Sequence, residues 1–292
     1  MRRDALQDAI LKLYREEHAA LGEAGALRLL EESRRWDLAP TLRAGGAVVF
    51  PHAGVADCGH QVAAAVRAAL DSGADTVLVI RVLHAFTEEM EQARRRVAAG
   101  GDPAKEATWG IQGPGLDRGD QWRDDHALMS WRFFWEHETR RRGLGARAPR
   151  VIERYPYLAG GRPEDLPGIE ELVELARSAV IVSTADPFHH GIGYGDPPEE
   201  ALPPDDGGLD LARRRIEEGM AILGRGDYWG YNQHCVSAKS DHRDAGQVLR
   251  LLVGPMRGQI LDLISSDATG LYNAPPPTWV AGALIAWERL DA

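Results

Sequence analysis

Ala47-Val48-Val49-Phe50-Pro51-His52 and, one helix later, Thr76-Val77-Leu78-Val79-Ile80-Arg81-Val82-Leu83-His84 are two apolar runs, each closed by a histidine. Short apolar runs rich in valine and isoleucine read as strands buried on both faces. Between them residues 59–70 are Ala-rich and predict a helix ending near Asp71-Ser72-Gly73. Strand, helix and strand in this order predict parallel strands joined by a crossover. In such a sheet, chemistry gathers at the carboxyl ends of the strands. Both histidines stand there, and the expectation is that they share a metal ion.

The pattern continues on both sides. Residues 4–35 have helical spacing, with Leu6, Ile10, Leu13 and Tyr14 on one face and Leu27 and Leu30 on another. Residues 88–98 predict a helix, and 99–123 an extended loop carrying Trp109 and Trp122. A helix rich in aromatics is expected over 128–142, a strand over 151–158 and a helix over 164–178, with Pro163 near its start. The next buried strand, 179–184, runs into Asp186-Pro187-Phe188-His189-His190-Gly191. Residues 195–208 are Pro- and Asp-rich and predict a loop or lid. Helices follow over 209–223 and 245–252, with a further segment from 227 to 235 between them. Residues 260–272 read as strand plus turn, and 278–290 as a terminal strand. No repeat, low-complexity tract or composition break divides the chain. One α/β domain over 1–292 is expected, with 1–44 as a helical extension and 45–290 as the core.

Composition narrows the class. The 292 residues are 44% apolar, enough for a large core, and carry 34 basic against 44 acidic side chains, a net charge of −10. Phosphate backbones require a basic face, so no nucleic-acid partner is expected. Arg140-Arg141-Arg142 and Arg213-Arg214-Arg215 read as solvated helix faces. Two cysteines, Cys58 and Cys235, make no disulfide framework, which points to a reducing cytoplasm. The charged, amphipathic N-terminus lacks the apolar centre of a signal peptide. No apolar run approaches the roughly 20 residues of a membrane span. The sequence leaves the oligomeric state open, a homo-oligomer included.

Ten histidines provide most of the candidate chemistry. His18 and His137 read as packing or surface residues, whereas His52 and His84 read as ligands because neutral imidazole is a common metal ligand. Asp186 precedes His189 by three residues, a carboxylate–imidazole pair suited to acid–base work. His190 is adjacent and points elsewhere. Cys235, in Tyr231-Asn232-Gln233-His234-Cys235, is a soft ligand if ionised and otherwise an inert core thiol. Cys58 lies near a helix start. Dinucleotide, P-loop, nucleophile-elbow, HExxH and CxxC motifs are absent.

From Pro51-His52-Ala53-Gly54 onward the chain resembles the MEMO family, which shares its fold with the class III extradiol dioxygenases. His84 is similar to the family's second strand-end histidine, and Asp124-Asp125-His126 resembles its acidic segment with histidine. Arg154-Tyr155-Pro156-Tyr157-Leu158-Ala159-Gly160, Ser183-Thr184-Ala185-Asp186-Pro187-Phe188-His189-His190-Gly191 and Cys235 complete the likeness, which spans roughly residues 45–290. Val55 and Val236 depart from the pattern, where the family has an aromatic and a glycine. The resemblance implies a three-layer α/β/α fold with a central parallel or mixed sheet. It implies metal positions at His52, His84 and Cys235, with Asp186 and His189 in the same pocket and His126 as a further catalytic candidate. A nearby acid such as Asp241 is the alternative to Cys235.

The resulting expectation is a non-heme iron(II) oxygenase that uses O₂ on a small metabolite, catechol-like, aminophenol-like or derived from an amino acid. His189, held by Asp186, is expected to act as base. Trp109, Trp122, Trp131, Tyr194 and His190 are candidates for the substrate wall. Three alternatives stand beside it: a MEMO-type iron or copper protein without organic turnover, a zinc-dependent hydrolase, and a cleft that binds a peptide.

Overall fold

The computed structural model describes residues 3–106 and 110–291, with side chains from residue 7 onward. In chain order the elements are α1 (Arg3–Glu32), α2 (Ala39–Arg43), β1 (Ala47–Phe50), α3 (Val55–Asp71), β2 (Thr76–Ile80), α4 (Glu88–Ala98), β3 (Gly110–Gln112), α5 (Met129–Arg141), β4 (Arg150–Tyr157), α6 (Ile169–Ala176), β5 (Val180–Thr184), β6 (Phe188–Gly191), α7 (Asp206–Gly224), α8 (Tyr228–Ala238), α9 (Arg243–Val253), β7 (Met256–Asp267), α10 (Thr269–Tyr272) and β8 (Thr278–Arg289).

Eight strands form one mixed sheet in the order β3-β4-β2-β5-β1-β8-β6, with β7 also on β8. The central four, β4, β2, β5 and β1, are parallel. Antiparallel strands flank them on both sides. The strand alternation sorts the core into two clusters. Ala47, Val49, Leu78 and Ile80 face one side, with α6, α7, α8 and α9. Val48, Phe50, Val77 and Val79 face the other, with α1, α2, α3 and α5. Helices therefore cover both faces of the sheet, as the three-layer α/β/α expectation requires. α3 packs closely because Ala63, Ala64, Ala65, Ala68 and Ala69 bring its backbone near the strands.

Several boundaries differ from the sequence reading, each for a local reason. β2 ends at Ile80; the backbone N–H of Arg81 still donates to the Arg154 carbonyl of β4, while its side chain pairs inside the protein with Asp125. The expected loop over 99–123 contains β3, which pairs with Tyr155, Pro156 and Tyr157 of β4. α7 starts inside the expected lid, at Asp206, where the Asp205 carboxylate accepts from the backbone N–H groups of Gly207 and Gly208. α3 begins at Val55, so Cys58 lies within its first turns, buried, its thiol donating to the Ala53 carbonyl.

Two features place the site. First, β5 lies between β1 and β2, so the turn after it, with Asp186, emerges between the ends that carry His52 and His84. Second, β1 and β6 share one edge of β8: β1 pairs with Ile285, Ala286 and Trp287, β6 with Thr278, Trp279, Val280 and Ala281. β6 thus carries His189 into the space beyond the end of β1. Gly191 closes β6 at φ +107, and a Cβ there would lie 2.1 Å from the carbonyl oxygen of Pro277. Only glycine fits both the dihedral and the approach. α1 crosses the same end of the sheet; its backbone breaks at Gly22 (φ 57, ψ −171).

Candidate metal centre

His52 is fixed from three directions. Its backbone N–H donates to Oδ1 of Asp186 at 3.0 Å, and its carbonyl accepts from the Tyr14 hydroxyl. Its Nδ1 lies 2.9 Å from Oγ1 of Thr184, the residue paired with Phe50 across the β1–β5 ladder. Nε2 is left pointing toward the carboxylates, 3.0 Å from Oδ2 of Asp241 and 3.7 Å from Oδ2 of Asp186.

His84 approaches from the other side. β1 and β2 are separated by a whole strand, about 10 Å at the usual interstrand spacing. The segment after β2 closes that gap, and the rings of His52 and His84 come within 5.0 Å centroid to centroid. Asp125 draws His84 in. It accepts from the His84 backbone N–H and lies 3.4 Å from Nδ1, while its other oxygen takes Nη2 of the fully buried Arg81 at 3.0 Å. Nε2 of His84 lies 3.4 Å from Oδ2 of Asp241. One oxygen of Asp241 is therefore close to both imidazoles. The other accepts from the backbone N–H of Asp186 at 2.9 Å, which orients the carboxylate.

His126 completes the group, its ring 4.5 Å from that of His84 and 5.9 Å from that of His52. Its Nδ1 is buried with no hydrogen-bond partner among the described residues. Among the described residues two sets of donor atoms converge closely enough to hold a metal ion: His52, His84 and His126, and His52, Asp186 and Asp241.

The charges follow the packing. Burial opposes protonation of His84, but Asp125 and Asp241 outweigh it and raise its pKa to about 10. Burial, with the neighbouring His84, pushes His126 well down, which keeps it neutral. Burial works against the charge of Asp241, yet contact with His52 and His84 holds it well below the usual carboxylate range. Burial raises Asp186, with Asp241 beside it.

His189 stands edge-on to Tyr194 at 4.8 Å, and its Nδ1 is buried without a hydrogen-bond partner among the described residues. Burial lowers its pKa. No hydrogen bond joins it to Asp186 among the described residues, because that carboxylate is turned to the His52 backbone. The expected Asp186–His189 pair is thus replaced by an Asp186–His52 contact. With His52, His84, His126, Asp186, Asp241, Tyr14 and Tyr194, His189 lines a cavity of about 250 Å³ beneath α1.

Other expected positions lie elsewhere. Cys235 belongs to neither donor set. Its thiol lies with the side chains of Tyr231 and Ser240, and burial pushes its pKa up to about 12; Asp241, the alternative named from the sequence, takes the place beside the imidazoles. His190 turns away from the cavity. Its Nδ1 meets Asp196 at 3.0 Å and its Nε2 accepts from the Leu202 backbone N–H, so it pins the 195–202 loop. Trp131 is core, stacked on Phe50, and Trp122 packs near Tyr155. Trp109 lies outside the described residues. His18 stacks on Phe133 and meets Ser130, in keeping with a packing role.

Sequence reasoning passed over Asp125, Arg81 and Tyr14 as individual contributors. Arg81 carried a signal: a lone guanidinium inside an apolar run needs a buried carboxylate. Comparison of the chain with protein-family models and with curated proteins gives no match.

Proposed function

We propose that this protein is a non-heme iron(II) oxygenase acting on a small organic metabolite, with the metal held by His52, His84 and Asp241. The observation that carries the reading is the distance from Oδ2 of Asp241 to the two imidazoles, 3.0 Å to Nε2 of His52 and 3.4 Å to Nε2 of His84. Adjacent ligands about 2.1 Å from a metal are themselves about 3 Å apart, so each of these two distances fits a pair of ligands on one ion; the triad takes His52 and His84 from one convergent donor set and Asp241 from the other. Two imidazoles and one carboxylate with open positions are the donor set of iron(II) oxygenases. When bound, iron(II) supplies the coordination positions for O₂ and a chelating substrate.

The protein's own residues do the rest. Thr184 holds Nδ1 of His52 and Asp125 holds His84, and such outer contacts fix the rings of metal ligands. His189, kept neutral by burial, takes a proton at Nδ1 from a substrate hydroxyl or amine. Neutral His126 presents its unpartnered Nδ1 as a hydrogen-bonding group. Tyr14, Tyr194 and Tyr272 wall the cavity and limit water. A space of about 250 Å³ suits a single aromatic ring or a compound derived from an amino acid. The resemblance to the MEMO family and the extradiol dioxygenases supports the same reading.

A second reading is a zinc hydrolase, favoured by the convergence of three imidazoles, His52, His84 and His126. The copper reading drew on Cys235, which stands outside both donor sets.

Anaerobic loading with iron(II), then oxygen uptake with a panel of catechols and aminophenols, tests the proposal. Iron-dependent oxygen consumption with at least one compound is expected. Iron-replete protein that consumes no oxygen with any of them overturns the oxygenase reading. Ester or amide hydrolysis by zinc-loaded protein without O₂ establishes the second.

A further inference from the structure

The metal cluster has a second, wider approach. On the side away from the inner cavity, His84, His189, Tyr194 and Asp241 also border an open cleft of about 770 Å³. Among the described residues the inner cavity has no lysine or arginine in its wall. The cleft has four, Arg94, Arg95, Lys239 and Arg243, against the carboxylates of Glu91 and Asp241. A cationic mouth on a chain of net charge −10 is a local concentration of one sign.

Following each charge to its partner leaves two guanidiniums short. Arg95 pairs with Glu91, Lys239 with Asp196, and Asp241 with the two imidazoles. Among the described residues Arg94 and Arg243 have only Asp244 between them, 3.6 Å from Nη1 of Arg94 and 3.6 Å from Nε of Arg243. Those distances are too long for hydrogen bonds. Arg243 is 5% exposed, and its Nε and Nη2 are buried with no hydrogen-bond partner among the described residues. Arg94 lies over the Phe86 ring at 4.5 Å, which holds its plane along the wall of the cleft. A buried guanidinium without acceptors is unfavourable, and Arg243, with the partly exposed Arg94 beside it and one distant carboxylate between them, calls for a further anion.

We propose that Arg243 and Arg94 form the subsite for an oxyanion carried by the substrate, a carboxylate or a phosphate group, beside the His84 face of the metal cluster. The planar fork of a guanidinium matches either group through paired N–H donors. The assignment of this anion to the substrate rests on the oxygenase reading above; the existence of the subsite does not. The substrate class narrows accordingly to small organic acids or phosphate esters whose reacting end reaches His84 and His189.

Calorimetric titration of the full chain with acetate and, separately, inorganic phosphate tests this, on metal-free protein and on protein loaded anaerobically with iron(II). Saturable binding of at least one ion is expected, and the tighter of the two identifies the group. Arg243→Gln is expected to weaken it about tenfold or more with iron stoichiometry unchanged. Arg94→Gln, at a partly exposed position, is expected to weaken it in the same direction and serves if Arg243→Gln fails to fold. Absence of saturable binding by either ion, or wild-type affinity in the folded arginine variants, overturns the subsite. Anion binding through Arg243 in a protein that takes up no iron supports the subsite and overturns the metal reading instead.

Discussion

Nε2 of His52 and Oδ2 of Asp241 lie 3.0 Å apart, although one ends the first strand and the other precedes the ninth helix. Asp186 links them. Its carboxylate accepts from the His52 N–H, and its own N–H donates to Asp241. A ligand pair held through a third residue is set by strand order, and it can be dissected by substitution.

Replacing either member is expected to abolish metal uptake. His52→Ala and Asp241→Asn each remove one donor of the proposed triad, and protein purified without chelators should lose its bound metal while its circular dichroism is unchanged. Cys235→Ser should keep the metal. Elemental analysis of the three variants checks this, and loss of metal in Cys235→Ser alone would return the thiol to the site.

Asp125 is a positioning residue with a structural burden. Asp125→Asn should weaken metal binding about 10- to 100-fold, as loss of an outer carboxylate on a ligating imidazole does. Asp125→Ala should also destabilise the protein by about 3–5 kcal/mol, because it strands the buried Arg81 guanidinium. Metal titration separates the first effect, and urea unfolding measures the second.

The fold should weaken in mild acid, in part through His18. Burial lowers its pKa to about 4 from an ordinary 6.5. Between these values the unfolded chain takes up a proton that the folded chain refuses, so falling pH favours unfolding. The stability this ring contributes is complete above about pH 6.5 and is lost as pH falls toward about 4. Melting temperatures of wild type and His18→Gln across that range should differ in slope, the variant falling less steeply. Parallel slopes would remove His18 from the acid response.

Gly191→Ala should be among the more damaging small substitutions. It forces an L-residue into positive φ and places a methyl 2.1 Å from the Pro277 carbonyl oxygen. A loss of about 1–3 kcal/mol or more is expected from chemical denaturation.

His190→Phe should loosen a loop without touching the metal. It removes the contacts to Asp196 and the Leu202 N–H. Faster proteolysis within residues 195–205 and unchanged metal content are expected. Metal loss in this variant would place His190 in the site after all.

The sequence by itself determined the layers. Apolar runs such as 47–50 and 180–182 state their burial on both faces directly, and a chain of strands alternating with helices leaves few other ways to cover them. It also marked His52, His84 and His189, because polar side chains at the ends of such strands stand out. Strand order was decided only by the tertiary structure. Nothing local says that β5 inserts between β1 and β2, and that insertion turns Asp186 toward the His52 backbone instead of His189. The choice between Cys235 and Asp241 was of the same kind. Both are close in the chain, but the αL turn at Lys239 after α8 leaves the thiol packed with Tyr231 and Ser240 and delivers the carboxylate to the imidazoles. Periodicity reports which face a residue occupies; which distant partner meets it depends on how the layers close over one another.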